Sequence, residues 1–420
     1  MTYRAISISA LLLLIAAATA SAQTGQLPTG PLYGDQNLSP FYRWTEALPA
    51  KPGVLLRAEA APANPEITLA GKAERILYTS TDVRWRSGIV PVSGTLYLPK
   101  GTAPAGGWPL VAWAHGTLGV ADRCAPSWAG HKPRDAEYIN KWLQAGFAVV
   151  ATDYQGLGGP GPHAYLNWES EGRSVLDAAR AAQSSQASGI ANKVIITGQS
   201  QGSGAALGAT RLQPTYAPEL GLKATIATGV ISYFPAAAHK APPLAVPSPA
   251  YAALLMVGGA LPDDSPAPDA LMTDKGKALL AAARSVCSSD VGTLAKRELI
   301  DSANAYVTIP TDFAAHLLHV TDMTPVKMPV PVMLGTGAAD SLVPPRHQYG
   351  AVAALCEAGS SILWKEYAGA THNGGLHASF NDALAFANAA LAGKPPQTNC
   401  ASVKEPGEPG KAAPGLAFND

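Results

Sequence analysis

Short apolar runs recur along this chain, each closed by a glycine-bearing turn and followed by a stretch with helical spacing. The pattern predicts an antiparallel pair of strands at 73–80 and 89–98. They are joined through Trp85-Arg86-Ser87-Gly88, where the glycine can supply the turn geometry. Strand and helix then alternate. Strands are expected at 110–114, 146–152, 193–197, 222–228, 330–334 and 362–367. Helices are expected at 135–145, 168–182 and 376–391, the first anchored by Trp142 and Leu143. Such alternation implies a mainly parallel sheet with helices on both faces.

The rhythm fails between residues 229 and 328. Apolar patches there, such as Tyr233-Phe234 and 251–257, lie among loops and helical stretches. This insertion is expected to be mostly helical and to cap the sheet as a lid; a set of ordinary core helices is the alternative. Residues 66–228 and 329–393 would then form the core domain. Residues 23–65 are rich in proline and alanine and read as an extended N-terminal arm. Residues 394–420 are rich in proline and glycine and read as a tail, loosely held apart from Cys400.

One turn stands out chemically. The apolar run Val194-Ile195-Ile196 stops at Gly198-Gln199-Ser200-Gln201-Gly202, and a small-residue helix follows through Gly204, Ala205, Ala206 and Leu207. Strand, sharp turn and helix form the context in which G-x-S-x-G marks a nucleophile elbow. The glycines leave room for a strained turn, and the helix N-terminus favours developing negative charge.

Composition narrows the setting. The chain has 420 residues, 47% of them hydrophobic, enough for one large α/β domain with insertions or for two domains, with a sizeable core. Basic and acidic residues balance at 30 each, without a basic stripe, which argues against nucleic acid and anionic membrane surfaces as partners. Residues 1–22 read as a signal peptide: Arg4, an apolar stretch at 10–20, and Ala20-Ser21-Ala22 as a cleavage site. The mature protein is therefore expected to be secreted or periplasmic. Four cysteines, Cys124, Cys287, Cys356 and Cys400, suit two disulfides in that compartment, with three connectivities open. No C-x-x-C pair, phosphate-cradling loop or dinucleotide fingerprint occurs, so neither a metal nor a cofactor is expected.

An activated serine needs a histidine to take its proton and a carboxylate to hold that histidine in the right tautomer. With this elbow, the chain order is serine, acid, histidine. Asp340 follows the strand at Val332-Met333-Leu334, and His372 lies in the loop after the 362–367 strand. Both loops leave the carboxyl ends of strands, where ligands of open α/β sheets bind. His377 is the main competitor for the base. His347 precedes the last strand, His316 and His319 fall in the insertion, and His131, His163 and His239 read as surface loop residues. Asp301, Asp312 and Asp322 precede the 330–334 strand and are poorly placed for the acid. The oxyanion hole would take one backbone N–H from Gln201 and one from the His115-Gly116-Thr117 loop, at Thr117.

Several separated segments together resemble the secretory lipase family of α/β-hydrolases. They are Phe41-Tyr42, Lys51-Pro52-Gly53-Val54-Leu55-Leu56-Arg57, Ala112-Trp113-Ala114-His115-Gly116-Thr117, Cys124-Ala125-Pro126-Ser127, Asp153-Tyr154-Gln155-Gly156-Leu157-Gly158 and the elbow. The resemblance implies an α/β-hydrolase fold and ester hydrolysis through an acyl-enzyme, with Ser200 as nucleophile, His372 as base and Asp340 as its orienting acid. It also implies pairing of Cys124 with Cys287 and of Cys356 with Cys400. The expected substrate is a small-molecule or lipid ester with an apolar acyl group, with transient lipid contact through the cap. Acyl transfer, peptide hydrolysis and a non-catalytic binding role are the alternatives. Oligomeric state is left open.

Overall fold

A computed structural model describes residues 25–184, 189–238, 241–245, 247–308 and 312–419. The expected signal peptide and His239 lie outside the described residues. Among the described residues, nine strands form one sheet in the order β1-β2-β3-β5-β4-β6-β7-β8-β9. They are β1 Leu55–Ala60, β2 Ala70–Asp82, β3 Gly88–Pro99, β4 Trp108–Ala114, β5 Ala148–Thr152, β6 Ile190–Gln199, β7 Leu222–Thr228, β8 Val332–Gly337 and β9 Ile362–Tyr367. The pairs β1–β2, β2–β3 and β3–β5 are antiparallel, and every pair from β5–β4 onward is parallel.

Successive residues of β4 show why the apolar runs are continuous. Leu110 and Ala112 pack with Val175, Leu176, Ala205 and Ala209 of the helices Trp168–Ser184 and Gln201–Tyr216. Val111 and Trp113 face the opposite side and meet Trp142, Phe380 and Phe386 of the helices Pro133–Gln144 and Phe380–Leu391. A strand covered on both faces has no polar side to alternate with.

The arm and tail differ from expectation. Within 23–65, Leu55–Ala60 is an edge strand, half-exposed and so without an alternating signature. The tail is docked rather than loose. Gly410 N–H donates to Ala338 O (2.8 Å), Ala413 N–H to Gly369 O (2.8 Å), and Arg346 pairs with Glu405 at 2.8 Å. A helix not anticipated from the sequence, Pro345–Glu357, makes the crossover that parallel β8 and β9 require. The closing helix is broken at Ser379, giving Gly374–Ala378 and Phe380–Leu391.

Between β7 and β8 the helices Pro249–Val257, Pro268–Leu271, Asp274–Ala283, Ser288–Arg297 and Phe313–Leu318 share one apolar cluster. That cluster also takes in Val120, Tyr165, Leu166 and Val343, so the insertion packs onto the loops at the carboxyl ends of the strands. Disulfides join Cys124 to Cys287 and Cys356 to Cys400, the pairing the resemblance implied. The first ties the segment after β4 to the start of the Ser288–Arg297 helix. Among the described residues, no helix is long and apolar enough to cross a membrane.

Candidate active site

The elbow glycines are required by contact. A Cβ on Gly198 would lie 1.9 Å from Gly202 O, and one on Gly202 would lie 1.9 Å from Ala114 O. This closeness forces the chain to reverse over the end of β6, with Ser200 at φ 57° and ψ −121°. A non-glycine residue held there costs on the order of 1–3 kcal/mol, sustained only when its surroundings over-determine it. Ser200 N–H donates to Thr228 O at 3.0 Å, and the Gln201–Tyr216 helix begins at the next residue.

Asp340 and His372 come together across two loops, His372 Nδ1 lying 2.7 Å from Asp340 Oδ2. The carboxylate is held from four directions. Oδ1 accepts from the N–H groups of Leu342 (3.0 Å) and Val343 (2.8 Å), and Oδ2 accepts from His372 and from Gln348 Nε2 (2.9 Å). Gln348 also accepts at Oε1 from Val230 N–H and Thr336 Oγ1, which locks its amide orientation. With Asp340 accepting at Nδ1–H, the Nε2 of His372 is the nitrogen left to take a proton; it is buried and has no protein partner. The histidine backbone is tied to the elbow, because Gln199 Nε2 donates to His372 O at 3.3 Å.

The rival histidines are engaged elsewhere. His377 Nε2 lies 3.1 Å from Arg134 O and its Nδ1 lies 3.1 Å from Lys141 Nζ. Burial, with Lys141 adding to it, pushes its imidazole down to about 4. His347 spans Pro242 O and Ile231 O. His319 Nδ1 bonds His316 O within the insertion. His131 and His163, expected at the surface, are buried. The loops that carry them are covered by packing that composition does not reveal.

Thr117 and Ser200 line one cavity of about 490 Å³ whose walls include Leu166, Ile231, Leu244, Leu255, Leu318 and Val343. Gln201 follows Ser200 at the first turn of its helix, which places its N–H at the positive end of the helix dipole. The cavity lining is mostly apolar, with the hydroxyls of Thr117, Tyr165 and Ser200 and the charged Arg346 and Glu408 among its polar groups, an arrangement suited to a largely apolar ligand. Among the described residues, no group of three or more His, Cys, Asp or Glu side chains could hold a metal ion.

Residues 133–399 match the secretory lipase family, which is more than half of the chain. The chain belongs to the secretory lipase family. Membership makes it a carboxylic ester hydrolase of the lipase/esterase class, and the family's secreted character agrees with the two disulfides. Its fold is similar to that of Candida antarctica lipase A in its closed state (TM-score 0.64, 20% identity, 91% of this chain and 90% of that one). It is also similar to a variant of the rice cell wall degrading esterase LipA from Xanthomonas oryzae (TM-score 0.63, 18% identity, 83% of this chain and 100% of that one). No curated protein sequence matches the chain significantly.

Two residues at this candidate site carry no sequence signal. Gln348 donates to Asp340, and Gly229 leaves room beside the His372 ring, through proximity made only in the folded chain. Their types are common in loops and helices, and no motif or spacing singles them out; Gln199 lies in the elbow motif, but its bond to His372 O is likewise set only by the fold.

Proposed function

We propose that this secretory lipase is an exported serine ester hydrolase. The observation that carries the reading is the 2.7 Å pair between His372 Nδ1 and Asp340 Oδ2, held beside the strained Ser200 elbow. Ser200 Oγ attacks the ester carbonyl while His372 Nε2 takes its proton, and Asp340 steadies the resulting imidazolium. The tetrahedral oxyanion is met by the N–H groups of Gln201 and Thr117. His372 returns the proton to the leaving alcohol, and water then repeats the sequence on the acyl-serine.

The cavity favours apolar acyl groups, and the 229–328 insertion serves as its cap. Export rests on the sequence of residues 1–22 and on two disulfides suited to an oxidising compartment. An organophosphonate ester should label wild-type protein at Ser200, and Ser200→Ala should neither label nor turn over p-nitrophenyl esters. Full ester turnover by folded Ser200→Ala would end this reading.

A further inference from the structure

The two expected oxyanion donors stand on different strands, Thr117 beyond β4 and Gln201 beyond β6. Their N–H groups can share one oxygen only if the separation of those two loops is held. One buried segment touches both. Tyr165 Oη lies 2.7 Å from Thr117 Oγ1. Two residues earlier, His163 Nε2 lies 2.8 Å from Gln201 Nε2. One residue later, Leu166 N–H donates to Glu171 Oε1 at 2.9 Å, and that same oxygen accepts from Gln201 Nε2 at 2.7 Å.

The bonds agree on one protonation pattern. His163 Nδ1–H donates to Gln155 O at 2.9 Å, so Nε2 is free to accept from the Gln201 amide. Burial pushes the Glu171 carboxyl well above its usual range and the His163 imidazole down to about 3, which agrees with a neutral imidazole that accepts at Nε2. The arrangement is costly. Leu166 sits at φ 63°, and Glu171 Oε2 and Gln201 Oε1 are buried without a protein partner. Packing for stability alone would fill this space with apolar side chains; strain and unmet polar atoms gather where geometry serves chemistry.

We infer that His163, Tyr165 and Glu171 are positioning residues that brace Thr117 and Gln201 and set the separation of the two oxyanion donors. This rests on the reading of Ser200 as nucleophile with those two residues as donors.

The test uses Gln201→Met and Tyr165→Phe, which keep the bulk of each side chain. Each should lower kcat on a short p-nitrophenyl ester about tenfold, a fraction of what a 1 Å misplacement can do. KM should stay near wild type, because the lost interaction exists only in the transition state. Affinity for a trifluoromethyl ketone, which forms a tetrahedral adduct on the serine, should fall by the same factor. The double variant should lose less than the product of the two, since both act on one distance. Glu171→Gln, which keeps the accepting oxygen, should stay near wild type, whereas Glu171→Leu should behave like Gln201→Met. Wild-type kcat and ketone affinity in folded Gln201→Met and Tyr165→Phe would overturn the brace. So would equal damage from Glu171→Gln and Glu171→Leu. If wild-type enzyme itself fails to label at Ser200, the nucleophile assignment falls first; normal labelling with unaffected variants removes only the brace.

Discussion

Gly229 leaves the space that the His372 ring occupies: a Cβ there would lie 2.7 Å from His372 Cε1 and 3.0 Å from Nδ1. Gly229 also sits at φ 59°, where an added side chain is strained. Gly229→Ala should therefore displace the imidazole and lower kcat by about a hundredfold, the scale set by small misplacements in an active site. Steady-state kinetics beside a thermal melt check this. Undiminished kcat in a folded variant would show that the ring is not confined there.

The Asp340–His372 bond predicts an asymmetry between two histidines. Asp340→Asn can keep the Leu342 and Val343 contacts at Oδ1 while losing the carboxylate that orients Nδ1–H. Activity should drop by about 10⁴. His377→Ala should stay near wild type, because both nitrogens of that ring face Arg134 O and Lys141 instead. The reverse ranking in kcat/KM would assign the base to His377.

The docked tail predicts an effect from a residue far from the serine in sequence. Asn419 Oδ1 accepts from Thr371 N–H at 2.6 Å, and its Nδ2 donates to Gly369 O (2.9 Å) and Ala413 O (2.7 Å). Asn419→Ala removes three hydrogen bonds, each contributing about 1 kcal/mol. Hydrogen exchange in the 369–374 loop should speed up and kcat should fall several-fold with KM little changed. Unaltered exchange in that loop would show that the tail does not support it.

Asp122 predicts a loss of stability with rising pH. Burial raises its carboxyl from 3.8 to about 8, with Asp35 adding to the effect, against hydrogen bonds from the Gln36 and Gly158 N–H groups. The folded state then binds a proton that the unfolded state releases between those values. This contribution is fully present below 3.8 and is lost as pH rises through about 8. The melting temperature of Asp122→Asn minus that of wild type should grow from pH 4 to pH 8 and then level off. A flat difference would mean that the carboxyl is ionised in the fold.

The Cys124–Cys287 bridge closes a separation of 163 residues. In the chain-entropy account a loop of this size contributes roughly 5 kcal/mol. Reduction, or Cys287→Ala paired with Cys124→Ala, should lower the melting temperature and loosen the insertion against the β4 loop. Limited proteolysis near Ser288 under both conditions reads the second effect. Equal cleavage rates would place the bridge outside the attachment of the insertion.

Local signals were enough for much of this protein. The buried strands are short apolar runs, and the elbow is written in Gly198 and Gly202 because backbone atoms there approach too closely for any Cβ. Asp340 and His372 could be named as candidates because each follows a recognisable strand, and the fold brings the two side chains within 2.7 Å. The signal failed at Leu55–Ala60, whose half-exposed edge carries no alternation, and at Pro345–Glu357, which follows closely on the Asp340 loop and packs into an apolar cluster.

What the sequence by itself determined is the alternation of strands and helices, the turn that strains Ser200 and the loops that carry Asp340 and His372. These depend on residues within a few positions of one another. What only the tertiary structure decided is which groups hold those residues in place: Gln199 against His372, Gln348 on Asp340, Asn419 on the His372 loop, and Glu171 on Gln201. Those bonds join residues that become neighbours only after the sheet has assembled, and a polar side chain's partner is set by that proximity rather than by any periodicity of its own segment.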